Sequence, residues 1–386
     1  MPTSSSLRRH DVDNLRAVAV LLLIPFHTAR LFDGQPWHMK DATAPYWLAE
    51  FTLRLIGLWQ MPLLFLLAGM AAAWALERRG PRAFLHARAA RLLLPLAFGM
   101  LVLVPPQVWV ERATPQAPLR QSPIDFAGGY PEFLSHALEC CYPAGNLSWH
   151  HLWFLPYLFA YAVAIAALAR TTAWPALARR VATAPWLLLP AGMVLVAIEL
   201  ALRPAFPSTH DLVTDWGDHA HYLFLVLFGW WLARHPGLDL ASRSIRHAAT
   251  LAAGAGLLLW LASMPAARGG LGLFDLPWAA RHGLRIATEW LVLLAMLGQA
   301  RRWLDRPLPG LAAFAPLSLA FYMLHQTIIV LLGWAWFGWS GQPLTKALAV
   351  GAAALLLSLA GAALVARAGW LRPLFGMPRR PAAGRG

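Results

Sequence analysis

The stretch Asp13-Asn14-Leu15-Arg16-Ala17-Val18-Ala19-Val20-Leu21-Leu22-Leu23-Ile24-Pro25-Phe26-His27 decides the fold class. It opens on charged and polar residues, runs apolar from Ala17 to Ile24, and closes on a proline, an aromatic ring and a histidine. A helix drawn through it enters the hydrocarbon near Arg16 and carries His27 deep into it. At about 100° per residue, the eleven-residue step from Arg16 to His27 is three turns plus about 20°. Both therefore share one face, roughly 16 Å apart along the axis, with Asp13, Val20 and Leu23 on the same stripe. A carboxylate, a guanidinium and an imidazole on one membrane face are costly unless they meet partners or a cavity. Pro25 removes a backbone donor and frees a carbonyl one turn earlier, as in helices adapted around a site. Two plainer readings stay open. Arg16 also reads as an interfacial anchor paired with Asp13, and His27 as a neutral imidazole bonded to another helix.

The rest of the chain agrees with a membrane class. Of 386 residues, 59% are hydrophobic and only 13% charged, about half the charged share of a soluble domain. Mean hydropathy is +0.52. Apolar blocks long enough to cross a bilayer fall near residues 15–33, 50–76, 92–110, 151–169, 185–202, 217–233, 248–264, 284–300, 314–336 and 345–366. The sixth and eighth are the weakest, being short or interrupted by polar residues. The expected fold is an all-α polytopic integral membrane protein of about ten transmembrane helices.

The net charge of +14 is carried almost wholly by Arg, with Lys only at 40 and 346. These residues sit in short loops between apolar blocks, which speaks for membrane orientation and against nucleic acid as a partner. One set of loops is rich: Arg8 and Arg9; Arg78, Arg79, Arg82, Arg88 and Arg91; Arg170, Arg179 and Arg180; Arg234, Arg243 and Arg246; Arg301, Arg302 and Arg306; and the tail with Arg367, Arg372, Arg379, Arg380 and Arg385. The alternate set is sparse. The asymmetry predicts both termini in the cytoplasm. The predicted organisation is a cytoplasmic segment 1–14, one membrane domain 15–366 with an external loop near 111–150, and a basic cytoplasmic tail 367–386. That loop is long enough to form a lid or part of a site, or simply to connect. The adjacent Cys140 and Cys141 make neither a disulfide framework nor a zinc site. The first apolar block lacks a convincing cleavage site and reads as a retained helix.

Other polar residues at membrane depth narrow the chemistry. The fourth segment starts outside with His150-His151-Leu152-Trp153-Phe154-Leu155-Pro156, and the eighth carries Arg281, His282, Arg285 and Glu289. The ninth holds Ser318, Tyr322, His325 and Gln326. His27, His151, Glu289 and His325 are therefore expected to converge in the outer half of one cavity. An imidazole beside a carboxylate suits general-base work, because the carboxylate fixes the tautomer and stabilises the imidazolium. No histidine pair has the i, i+4 spacing of a metal motif, so no metal is expected. Glu199 stands as a lone carboxylate in the fifth segment.

The spacing Arg16-x10-His27 resembles the signature of the acyltransferase-3 superfamily of membrane O-acyltransferases. Further resemblances are Asp13-Asn14-Leu15-Arg16, Ile24-Pro25-Phe26-His27, Trp37-His38, Met61-Pro62-Leu63-Leu64-Phe65 leading to Ala68-Gly69, and Arg88-Ala89-Ala90-Arg91-Leu92. They continue through His151-Leu152-Trp153-Phe154-Leu155 to Ser318-Leu319, Tyr322 and His325. Ala68 departs from the pattern, since many members have Ser before the Gly.

The resemblance implies an acyltransferase of the bacterial inner membrane. It would move an acyl group, acetyl or succinyl, from acyl-CoA to a hydroxyl of an extracytoplasmic glycan or glycolipid. Carried over, His27 would be the general base or acyl-handling residue and Arg16 would orient the donor, with Arg88 and Arg91 adding phosphate contacts. No permanently bound cofactor is implied, acyl-CoA being a substrate. The rival class is a polytopic transporter or flippase for a glycan, lipid or acyl intermediate. The absence of duplicated halves with paired broken helices in the sequence favours the enzyme.

Overall fold

The computed structural model describes residues 9–168 and 174–379. Arg8, Arg170, Arg380 and Arg385 of the charge pattern lie outside them. Each of the ten apolar segments becomes a helix. They are α1 (His10–Arg30), α2 (Trp47–Arg79), α3 (Pro81–Ala113), α4 (His150–Ala167) and α5 (Pro185–Leu202). After these come α6 (Trp216–Arg234), α7 (Arg246–Ala262) and α8 (Trp278–Trp303). The last two are α9 (Pro309–Ala335) and α10 (Pro343–Arg367).

Seven of them, α1–α5, α9 and α10, are long and apolar enough to cross a membrane. The count rises to eight if α7 and the helix Pro236–Ser244, bent by 60° at their junction, form one span. This is fewer than the ten expected. The shortfall falls on α6 and α8, the segments whose sequences are most interrupted by charge. α6 carries Asp218, His219 and His221, and α8 carries Arg281, His282, Arg285 and Glu289.

The closest pairs are α2 with α6, α3 with α4, α7 with α8 and α9 with α10. The first helix is central, packing against α2, α8, α9 and α10. Helices surrounded by lipid gain little from apolar burial, so close approach of backbones does the fastening. Gly69 of α2 and Gly229 of α6 show how. A Cβ on Gly69 would stand 2.0 Å from the Val226 carbonyl oxygen, and one on Gly229 the same 2.0 Å from the Leu66 oxygen. Only glycine fits at either end of that crossing. Leucines on the outside, among them Leu251, Leu258, Leu356 and Leu364, are more than half exposed, as surfaces facing acyl chains should be.

Two breaks shape the site. In α1 the regular ladder is interrupted at Leu22, between the stretches His10–Leu21 and Leu23–Arg30. Pro25 is the cause: its ring cannot accompany the carbonyl four residues back and offers that carbonyl no donor. In α3, Pro95 precedes a π-helical turn at Gly99–Leu103, after which Pro105 starts a fresh helix. A Cβ on Gly99 would stand 2.2 Å from Leu152 Cδ1 of α4, so any larger residue there would push that leucine aside.

The segment between α3 and α4 is tied down. It pairs with the chain after α1, the Trp37 amide donating to the Leu119 carbonyl (3.0 Å) and the Gln121 amide to the Trp37 carbonyl (3.2 Å). At its root the buried Glu111 carboxylate accepts from Tyr142 Oη (3.0 Å) and the Ser122 amide (2.5 Å), and lies 2.9 Å from His38 Nδ1. Burial, and then the neighbouring Glu111, push the Tyr142 hydroxyl well above its usual range. Cys140 and Cys141 are joined only to each other, so they close no larger loop.

Candidate functional site

The chemistry gathers where the second half of α1 meets the middle of α9. His27 Nδ1 faces the Leu23 carbonyl (3.2 Å) and His325 Nε2 (3.0 Å). His325 Nδ1 in turn faces the Tyr322 carbonyl at 2.6 Å. These partners assign the protons. A carbonyl only accepts, so His325 carries its hydrogen on Nδ1 and its Nε2 is an acceptor. His27 then donates from Nδ1, which leaves the lone pair on Nε2. The ring is a base aimed away from its helix.

His151 completes the group. Its ring centroid lies 5.3 Å from that of His325, its Nε2 donates to the Met323 carbonyl (3.0 Å), and its buried Nδ1 has no hydrogen-bond partner among the described residues. The Tyr322 hydroxyl bonds to the His151 carbonyl, pinning α9 to α4. Three of the four residues expected to converge thus meet.

Glu289 does not join them. Its carboxylate lies against His221 Nε2 (2.7 Å) and 3.6 Å from Arg285, one turn back on α8. His221 Nδ1 lies 2.9 Å from Glu199, which also takes a two-pronged contact from Arg203 (2.7 and 2.9 Å) and one from His282 (2.9 Å). Arg203 reaches Asp218 as well, at 2.7 Å. Glu199 is therefore far from lone. Both nitrogens of His221 lie close to carboxylates, Nε2 in a hydrogen bond and Nδ1 at ion-pair distance only, a setting that suits the imidazolium. Spacing along the chain links only Glu199 with Arg203 and Arg285 with Glu289, each four residues apart; the sequence underrated the rest of the network because its members stand on α5, α6 and α8. The polar interruptions of the sixth and eighth segments were the available signal.

Two cavities bear on the His27–His325 pair, one lined by His27 itself and one by residues that hold the pair; they are named outer and inner for the orientation that the arginine pattern predicts. The outer one, about 400 Å³, is lined by His27, Phe26, Trp37 and Trp260, with Arg30, Asp33, Glu50, Arg54 and Arg285 around them. The inner one, about 340 Å³, is lined by Arg16, Arg78, Arg79, Arg88 and Arg91 at one end. It runs past Ala68 and Leu155 to Leu23 and Tyr322, the residues whose carbonyls hold His27 and His325. Arg16 pairs with Asp13 at 3.1 Å and lines the cavity at once.

Beside the outer cavity, Lys40 is fully buried and donates to the Arg30 carbonyl (2.6 Å), the Asp33 carbonyl (3.1 Å) and the Asp33 carboxylate. Burial pulls the amine down to about 8, against the pull of Asp33. Burial likewise raises the Asp33 carboxyl, against Arg30 and Lys40.

Comparison with known proteins bears on this arrangement. Glucans biosynthesis protein C of Salmonella paratyphi B, and the proteins of the same name from Salmonella heidelberg and Salmonella agona, are each 28% identical to the chain over 100 residues. That stretch is 26% of this chain and 26% of each relative. No solved structure matches. The profile described as Acyltransferase domain matches residues 9–367, from the start of α1 to the end of α10 and so across every residue of the site. The chain belongs to the acyltransferase-3 family of membrane acyltransferases.

Proposed function

We propose that the protein is an O-acyltransferase that takes an acyl group from cytoplasmic acyl-CoA and gives it to a hydroxyl of an extracytoplasmic glycan or glycolipid. The observation that carries this reading is that His27 lines one cavity while a second, arginine-ended cavity reaches Leu23 and Tyr322, whose backbone carbonyls accept from His27 and His325. The arginine-rich end of the inner cavity suits the phosphates of CoA, with Arg16, Arg88 and Arg91 as contacts. Its apolar remainder suits the pantetheine arm, whose thioester is then delivered beside Leu23 and Tyr322. The outer cavity, walled by Trp37 and Trp260 and rimmed by charge, suits a carbohydrate. The alternation of arginine-rich and arginine-poor loops supports the same orientation: both termini, Arg88 and Arg91 in the cytoplasm, and His27 opening outward. It also supports a bacterial inner membrane as the setting, with α6 and α8 as polar members of a ten-helix bundle.

In the proposed step the acceptor hydroxyl gives its proton to His27 Nε2 as its oxygen attacks the thioester carbonyl. The carbon–sulfur bond breaks, and the thiolate of CoA takes the proton to leave as the thiol. His325 shares the positive charge through the bond between His27 Nδ1 and its own Nε2, the part a carboxylate plays in a Ser-His-Asp triad. His151 braces that ring. Catalysis of this kind is worth roughly 10²–10⁴-fold per base.

The test is consumption of radiolabelled acetyl-CoA or succinyl-CoA by the purified protein, with release of free CoA and label appearing in an added oligosaccharide. His27→Ala should abolish both. Donor consumption by that variant at the wild-type rate refutes the assignment, and label carried across vesicles with no CoA released points to a transporter.

A further inference from the structure

The outer cavity holds three guanidiniums, and the fold treats them differently. Arg30 is fully engaged by Asp33 and by the Pro36 carbonyl (2.8 Å). Arg54 has one hydrogen bond, from Nε to the Arg268 carbonyl at 3.3 Å, and otherwise only a 3.8 Å approach to Glu50. Arg285 makes no hydrogen bond to the protein among the described residues, its only ion pair being the 3.6 Å approach to Glu289. Each guanidinium carries five N–H donors in a rigid fork, so nearly all those of Arg54 and Arg285 are unspent. Both side chains remain partly open, at 32% and 28% exposure, and both line the cavity that holds His27.

The acids nearby are mostly committed elsewhere. Asp33 is occupied by Arg30 and Lys40, and Glu50 accepts the Gly34 amide at 2.8 Å while reaching Arg54 only at 3.8 Å. Glu289 is drawn toward His221. Two guanidinium forks with most of their donors open, lining one cavity with Trp37 and Trp260, are arranged to take an anion.

We propose that Arg54 and Arg285 form an anion subsite for a carboxylate or phosphate on one of the reacting partners. It rests on reading this cavity as the place where acyl group and acceptor meet. The anion is either the distal carboxylate of a dicarboxylic acyl group or an anionic substituent of the glycan. Glu289 is then a positioning residue: it sits between His221 and Arg285, and holds the guanidinium toward the cavity without neutralising it through a hydrogen bond.

The experiment uses the full-length protein in lipid nanodiscs. Succinyl-CoA and acetyl-CoA are each offered with methyl β-glucoside or with glucose 6-phosphate. The wild type should prefer the anion-bearing combination by about tenfold or more in kcat/KM, the worth of a charge-assisted pair. A preference that follows the donor assigns the anion to the acyl group, and one that follows the acceptor assigns it to the glycan. Arg285→Gln and Arg54→Gln should bring the ratio toward one, and Arg285→Lys should keep part of it. A ratio unchanged by both glutamine variants overturns the proposal.

A second arm follows Tm against inorganic phosphate and succinate in an Arg16→Gln/Arg88→Gln background, which weakens anion binding in the inner cavity. A saturable rise lost in Arg285→Gln supports the subsite, and a rise indifferent to both Arg54 and Arg285 refutes it. If no donor is consumed in any combination while that rise still depends on Arg285, the acyltransfer reading falls and the anion subsite stands.

Discussion

His27 and His221 are both imidazoles inside one helical bundle, and their surroundings are opposite. His27 meets another imidazole and a backbone carbonyl, all uncharged, and keeps a lone pair directed at a cavity. His221 is wedged between Glu199 and Glu289, is only 3% exposed, and has no lone pair to offer. The first arrangement makes a base. The second makes a fixed positive charge that stitches α5, α6 and α8 together. A histidine at membrane depth therefore says little until its partners are known, since acceptors on both nitrogens give an imidazolium and a single acceptor leaves a base.

The sharpest way to break this comparison is to exchange the outcomes. His27→Ala should lower turnover by about 10³-fold, measured as CoA release, while leaving Tm within a few degrees. Glu289→Gln should cost mainly stability, with any loss of turnover confined to the anion-bearing substrates that Arg285 would hold. It leaves His221 short of one counter-charge in a buried network, and a loss of roughly 3 kcal/mol of stability should appear as a clear fall in Tm or in folded yield. If Glu289→Gln abolished turnover with Tm unchanged, the contrast between the two histidines would fail.

Smaller effects sharpen it. His325→Ala should cost about 10²-fold in kcat with little change in donor KM, because it removes the group that shares the charge of His27. Arg88→Gln should raise the KM for acyl-CoA by about tenfold at low salt, with less effect at high salt, as expected for a phosphate contact. The least change is expected outside the site, at Asp41. Burial raises its carboxyl, but hydrogen bonds from Lys346 and Thr43 outweigh that and hold it below its ordinary value of 3.8. The carboxylate therefore contributes stability in full above that value and loses it as pH falls through the lower folded one. Asp41→Asn should lower Tm slightly at pH 7 and by progressively less as pH falls below 3.8, measured by thermal melts across that range.

Much of this was legible along the chain. Every apolar block became a helix, and Pro25 broke α1 where its missing donor required. His27, His151 and His325 met because each sits at a similar depth, and depth follows from counting residues along a helix. Glu289 has the same depth and still belongs elsewhere, because depth does not say which way a helix is turned or which neighbour it faces. Glu199 and Arg203 stand four residues apart, so that pair was within reach of spacing alone. The rest of the network was hidden for the same reason, its partners lying 68 and 83 residues apart, as with His221–Glu289 and Glu199–His282.

By itself, the sequence determined the class of the protein and the family. Both rest on patterns along one helix, where 1.5 Å per residue and 100° per step relate position to depth and face. Only the tertiary structure decided which polar groups are spent on each other and which stay open to a substrate. Ionisable side chains inside a bundle must be paired or must line a cavity, and the pairing is set by helix rotation and crossing. Gly69 and Gly229 fix one such crossing by backbone contact alone. In this bundle that rule leaves His27, Arg54 and Arg285 facing open space, and buries His221 between two acids.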